Sequence, residues 1–258
     1  MRDGVTHGIA PARRVLPAGI PVLEARGLTA VRPGDEGPVT VLDGVDFTLA
    51  RGETAEITGP SGAGKTTFLL ALARLLPDVR GTLILGGYPA GEFTAQQWRT
   101  RVALLPQRPA LTVDTVAENL RLPWHFAARS DRDLPPDESL RAALDTVGLS
   151  AVSLERDAAR LSVGQASRVA LVRVMLTEPD VLLLDEPDAS LDDESADAVA
   201  QETARFAAEG GCVVRVSHVR ADVNASVRYR LAGGRLAVVG GAAAREDFRP
   251  RAGASPDA

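Results

Sequence analysis

Gly59-Pro60-Ser61-Gly62-Ala63-Gly64-Lys65-Thr66-Thr67 satisfies the pattern G-x-x-x-x-G-K-S/T, which ends a glycine-rich loop in a cation and a hydroxyl. The residue types suit phosphate. Glycines let the backbone curl until several N–H groups converge on phosphate oxygens. A helix starting here points its positive end at the same place. Lys65 supplies a point charge for β- and γ-phosphates, and the Thr66 hydroxyl can ligate Mg²⁺. The competing reading is an ordinary glycine-rich turn, which has no need of every constrained position at once.

A second constellation lies far downstream. Val181-Leu182-Leu183-Leu184 is an apolar run that emerges at Asp185-Glu186. Strand ends of open α/β sheets are where ligands bind. There Asp185 can hold Mg²⁺, directly or through water, and Glu186 can polarise an attacking water. Alone, the pair reads equally well as a solvated acidic turn; the phosphate loop upstream favours the chemical reading.

These residues need a scaffold of alternating strands and helices. Strand character covers 39–49, 53–58, 81–85, 102–105, 181–184 and 212–217; helical character covers 67–76, 140–147, 165–177 and 196–209. Leu231 to Val239, with its Gly233-Gly234 turn, reads as a hairpin. The all-apolar run at 181–184 fits a parallel strand buried on both faces, and Gly210-Gly211 fits a helix C-cap. Alternation of this kind predicts a parallel α/β core. Residues 108–160 differ, with Pro123, Pro135 and Pro136 among charged and helical stretches, and read as an inserted helical subdomain. Residues 1–20 and 242–258 are Pro-, Gly-, Ala- and Arg-rich and read as a flexible arm and tail around a domain at 21–241.

Composition sets outer bounds. The chain has 258 residues, 45% apolar and 24% charged, with a formal net charge of −5. That suits one large domain and argues against a nucleic-acid binder, which carries a basic face. A single cysteine, Cys212, precludes an intrachain disulfide. No apolar stretch approaches the roughly 18 residues of a membrane span, and the N-terminal segment lacks the apolar core of a secretory signal. Any membrane role therefore runs through a partner.

With both constellations in hand, further residues resemble the ABC ATPase family. Leu161-Ser162-Val163-Gly164-Gln165 is similar to its signature, usually LSGGQ; Gln107 matches the Q-loop glutamine, Ser190-Leu191-Asp192 the D-loop, and His218 the switch histidine. The elements fall in the family's order between about Val22 and Val239. The resemblance implies a P-loop NTPase (RecA-like) core with an antiparallel β subdomain and an inserted α-helical subdomain, binding and hydrolysing ATP with Mg²⁺. It implies that Gln107 senses Mg²⁺ and the γ-phosphate, and that His218 contacts that phosphate and helps orient the water. Asp192 then connects two ATP sites. Ser162, Gly164 and Gln165 belong to a signature that meets ATP held by a second copy. It also implies a polytopic membrane permease subunit as partner, and a place in the cytoplasm on the inner face of the membrane.

Two departures stand out. Val163 occupies the first glycine of the usual signature, at a cost of roughly 1–2 kcal/mol if that backbone is left-handed. No aromatic residue stands near Val31 and Arg32 to stack on adenine; Arg32 either stacks its guanidinium on the base or is a solvent-exposed arginine. The segments 97–111 and 119–124 resemble the YbbL/FetA type of bacterial ATPase, linked to metal (iron) export. Trp124, His125 and Phe126 either line a groove for the permease or fill the helical subdomain's core. Iron–sulfur assembly is the closest soluble alternative, and a catalytically dead regulatory module is opposed by Lys65, Asp185, Glu186 and His218.

Overall fold

Pairing direction divides the strands into two sheets. The computed structural model describes residues 20–34, 37–129, 132–217 and 224–241. The expected arm and tail therefore lie outside the described residues, apart from Ile20. The chain opens with β1 (Leu23–Arg32) and β2 (Val39–Leu49), then enters β3 (Thr54–Thr58), the glycine-rich loop and α1 (Lys65–Leu72). β4 (Val79–Leu85) and β5 (Tyr88–Pro89) return to the first strands, giving an antiparallel sheet ordered β2-β1-β4-β5.

α2 (Ala95–Arg101) leads into β6 (Val102–Leu105). The stretch that follows is helical: α3 (Val116–Arg121), α4 (Asp137–Asp145) and α5 (Val163–Met175). β7 (Val181–Asp185), α6 (Asp193–Ala208), β8 (Cys212–Val216), β9 (Val227–Ala232) and β10 (Arg235–Gly241) complete the chain. The second sheet runs β10-β9-β3-β8-β7-β6, parallel from β9 to β6 and antiparallel only at β10. This is the mixed α/β architecture of a P-loop NTPase, with an antiparallel sheet beside a parallel one.

The apolar runs explain the layering. Every residue of β7 and β8 is buried, as a strand covered on both faces requires. Val181 and Leu183 point into a core shared with α1 and the antiparallel sheet. Leu182 and Leu184 point into a core shared with α3, α4, α5 and α6. Gly210 and Gly211 donate to Ala207 and Phe206 carbonyls and stop α6, and Gly233 and Gly234, both with positive φ, turn β9 into β10. The expected helix at 67–76 ends earlier, at Leu72, because Arg74 adopts a left-handed φ of 54°.

Trp98 is fully buried, with Nε1 donating to the Leu72 carbonyl at 2.8 Å and its ring edge-on to Phe93. The three residues left open earlier divide. Trp124 lies under the Arg129 guanidinium, while Phe126 is 57% exposed and lines a cleft beside the core. His125 is exposed, and no cluster of three or more His, Cys, Asp or Glu is placed to hold a metal among the described residues. No helix of the described residues is long and apolar enough to cross a membrane.

Candidate functional site

The site begins where β3 stops. Gly59 (φ 152°), Gly62 (φ 76°) and Gly64 (φ 98°) all hold backbone angles that L side chains rarely adopt. A Cβ on Gly59 would collide with the Leu231 carbonyl on β9, and one on Gly64 would lie 2.6 Å from Val41 Cγ1 on β2. One on Gly62 would meet open space. The loop is therefore gripped at both ends and free at its crest, as a cradle for phosphate requires. Gly64 caps α1, and no acidic residue occupies the first helical turn to oppose an anion. Lys65 is buried, and Nζ donates to the Gly59 and Pro60 carbonyls at 2.9 and 3.0 Å. Pro60, Ser61, Ala63 and Thr67 complete the loop and first turn, with Ala63 N–H donating to the Pro60 carbonyl.

β7 delivers the carboxylates to the same edge. Thr66 Oγ1 donates to Asp185 Oδ2 at 2.8 Å. These hard oxygen donors fit Mg²⁺, which takes one or two carboxylates and otherwise waters and phosphate oxygens. Glu186 follows with φ 50°, left-handed for a non-glycine residue, and its N–H donates to the Val216 carbonyl. Its Oε2 accepts from Gln107 Nε2 at 2.8 Å, so the loop after β6 and the acidic pair meet directly. His218 lies outside the described residues; the last described residue before it, Ser217, is buried.

The signature turn is built separately. Ser162 caps α5: its Oγ accepts from Gln165 N–H, and Gln165 Oε1 accepts from Ser162 N–H, a reciprocal capping box. The Gln165 side chain is thus engaged in shaping the helix start. Val163 is 71% exposed in the first turn of α5, and its backbone is not left-handed, so the strain expected of a valine there does not arise. Gly164 abuts the Ser190 carbonyl and Leu191. Asp192 caps α6 by accepting from Ser195 N–H at 2.8 Å, and that backbone hydrogen bond holds its carboxyl below the usual range. Among the described residues, no hydrogen bond joins the signature turn to the glycine-rich loop of the same chain.

Arg32 is the exposed last residue of β1, in register with Val39 on β2. Sequence reasoning missed Val41, whose side chain and carbonyl wall the loop at Gly64. Nothing but the alternation of β2 pointed to it.

Comparison with known proteins agrees with this geometry. The family model described as ABC transporter matches residues 42–189. The "Hemin import ATP-binding protein HmuV" of Nocardia farcinica (strain IFM 10152) is 37% identical over 248 residues, spanning 94% of this chain and 81% of that protein. The "Probable iron export ATP-binding protein FetA" of Escherichia coli (strain K12) is 33% identical over 190 residues, 73% and 82% of the two chains. A solved ATP binding subunit of an ABC transporter superposes with a TM-score of 0.72 at 26% identity, over 84% of this chain and 90% of that one. The glycine-rich loop, the Thr66–Asp185 contact and this extent of likeness lead to one assignment: the chain belongs to the ABC transporter family, as a subunit that binds and hydrolyses ATP with Mg²⁺.

Proposed function

We propose that the chain powers transport from the inner, cytoplasmic face of the cell membrane, coupled to a separate polytopic permease subunit. The observation that carries the reading is the meeting of Lys65, the Thr66–Asp185 pair and the Gln107–Glu186 pair at one sheet edge. Residues 21–241 form the ATPase, with 108–160 as its helical subdomain between flanking arms. In hydrolysis, Lys65 exchanges its carbonyl partners for the β- and γ-phosphates of ATP. The backbone N–H groups of residues 61–67 hold the phosphates from the helix side. Thr66, Asp185 and Gln107 present oxygens to Mg²⁺, which neutralises charge developing on the phosphate oxygens. Glu186 polarises the attacking water as general base, and His218 steadies the γ-phosphate by resemblance to the family.

The second ATP contact comes from another copy of the chain. Ser162 and Gly164 sit at the positive start of α5, shaped by Gln165, with a hydroxyl and an N–H available to phosphate; Asp192 lies next to them through Leu191. The cleft of about 720 Å³ lined by Leu75, Leu104, Leu122, Phe126, Arg99 and Arg173 receives a helix of the permease. Relatives named for hemin import and for iron export run in opposite directions yet share iron, which supports an iron-bearing cargo. Those same names favour transport over iron–sulfur assembly.

The test is nucleotide binding and turnover. Lys65→Ala is expected to lose Mg²⁺-dependent ATP binding. Glu186→Gln keeps an oxygen acceptor for Gln107 Nε2, so it binds ATP but hydrolyses it roughly 10²–10⁴-fold more slowly. Light scattering of this variant with MgATP is expected to show a dimer. Equal affinity in Lys65→Ala counts against the phosphate-loop assignment, and near-normal turnover in Glu186→Gln removes Glu186 from its role. Copurification with soluble scaffold proteins in place of a polytopic membrane protein removes the transport role.

A further inference from the structure

Three adjacent strands carry charge on a face where parallel strands are ordinarily apolar. Arg228 on β9, Glu56 on β3 and Arg215 on β8 stand side by side in the sheet register, next to Leu184 of β7. Glu56 is 1% exposed and takes Arg228 Nε at 3.0 Å. Arg215 is 4% exposed and reaches beyond its own sheet position: Nη2 donates to Asp188 Oδ2 at 2.7 Å. A buried guanidinium held by a carboxylate costs desolvation that a plain apolar strand avoids, so its location calls for a physical reason.

Asp188 lies two residues past Glu186. The turn between them is closed by Ala189 N–H donating to the Glu186 carbonyl. A left-handed non-glycine residue persists only where its surroundings over-determine it. Here β8 supplies two adjoining tethers, the Val216 carbonyl to Glu186 N–H and the Arg215 side chain to Asp188. We infer that Arg215 is a positioning residue for hydrolysis: by clamping Asp188 it fixes the turn that aims the Glu186 carboxylate at the Gln107 and Thr66–Asp185 edge. The inference rests on the proposed role of Glu186 as general base.

Removing either partner alone breaks a buried ion pair from one side, so the main variant is Arg215→Met with Asp188→Leu, which replaces the pair by apolar groups. Urea unfolding, kcat and KM for MgATP are measured in the wild-type and Glu186→Gln backgrounds. The apolar pair is expected to fold and to keep KM within about threefold. Its kcat is expected to fall at least about tenfold, the scale of a misplaced reacting group. In the Glu186→Gln background it causes no further loss, because the group it aims is already gone. An unchanged kcat, or the same fractional loss in both backgrounds, overturns the inference while leaving Glu186 in its role. Near-normal turnover of Glu186→Gln alone overturns the underlying reading and the inference with it. Should the apolar pair not fold, Arg215→Lys carries the test. It keeps the charge but loses the planar fork, and is expected to lower kcat severalfold at an unchanged urea midpoint; full activity there overturns the inference.

Discussion

Replacing the three loop glycines one at a time by alanine separates backbone strain from collision. Gly62, Gly64 and Gly59 hold φ of 76°, 98° and 152°. A left-handed backbone costs an L residue roughly 1–2 kcal/mol, and stiffening of the unfolded chain returns about 0.4–1 kcal/mol. Gly62→Ala meets nothing within 4 Å, so only this net term applies, about 1 kcal/mol. At Gly64 the new methyl lies 2.6 Å from Val41 Cγ1 and 3.3 Å from the Val41 carbonyl. Overpacking adds about 1–3 kcal/mol, for a total of about 2–4 kcal/mol. At Gly59 the obstacle is the Leu231 carbonyl, a backbone atom that no rotamer change can move, so the loss reaches about 3 kcal/mol or more. Urea unfolding at constant m ranks the three, and MgATP titration gives each affinity. Gly62→Ala is expected to lose more affinity than stability, because its methyl faces the open crest of the cradle. If Gly62→Ala destabilises as much as Gly59→Ala, the grip of β2 and β9 on the loop is not what sets its shape.

Three further outcomes are expected. Arg32→Ala weakens ATP binding by no more than roughly 1–2 kcal/mol, measured by titration with ATP and GTP; an unchanged Kd removes Arg32 from the base site. Val163→Gly changes stability by less than about 1 kcal/mol, the scale of a helix propensity difference; a gain above that would mean the backbone at 163 is strained after all. Burial pushes the Cys212 thiol up from 9.0 to about 11. Between those values the unfolded chain releases a proton that the fold retains, so stability falls as pH rises, by about 2–3 kcal/mol across the window. A Cys212→Ala variant whose urea midpoint falls just as steeply over that range would assign the slope elsewhere.

What the sequence disclosed follows from where specificity resides. Residues 59–67 and Asp185-Glu186 were legible because phosphate and Mg²⁺ chemistry dictates residue type at fixed spacing. β7 and β8 were legible because burial on both faces leaves unbroken apolar runs. α2 and α3 escaped the periodicity reading at seven and six residues, although each carries a capping box, Thr94 with Gln97 and Thr115 with Glu118, that could have marked it. β1 escaped because Gly27 and a register shift between Arg26 and Thr29 break its alternation. The left-handed Glu186 and the Arg215–Asp188 pair depend on lateral strand register and a contact between residues 27 apart, which no local pattern encodes. Arg215 still left a trace, as the lone charge in a β-branched run.

The geometry also bears on how events in the cleft reach the chemistry. Leu104 of β6 and Ala110 both line the cleft, and between them the chain passes Gln107, whose amide donates to the Glu186 carboxylate. Arg173 of α5 donates to the Ala110 carbonyl at 3.0 Å, and burial in this wall lowers its pKa. Leu105 is buried against the α5 core, pinning one end of the strip; Gln107 is exposed and held mainly through its side chain. On the proposed reading, a permease helix entering the cleft would press on both ends of a short segment whose middle touches Glu186. Displacement there would alter the Gln107–Glu186 contact before it disturbed the sheet, because β6 is locked to β7 along its length from Val102 to Leu105. The same path runs in reverse. On the proposed reading, Gln107 Oε1 would face Mg²⁺ while Nε2 holds Glu186, so a change at either partner would draw on the segment that lines the cleft. On that reading, coupling needs only one side-chain amide whose nitrogen and oxygen face different partners, placed between a rigid strand and a helical segment.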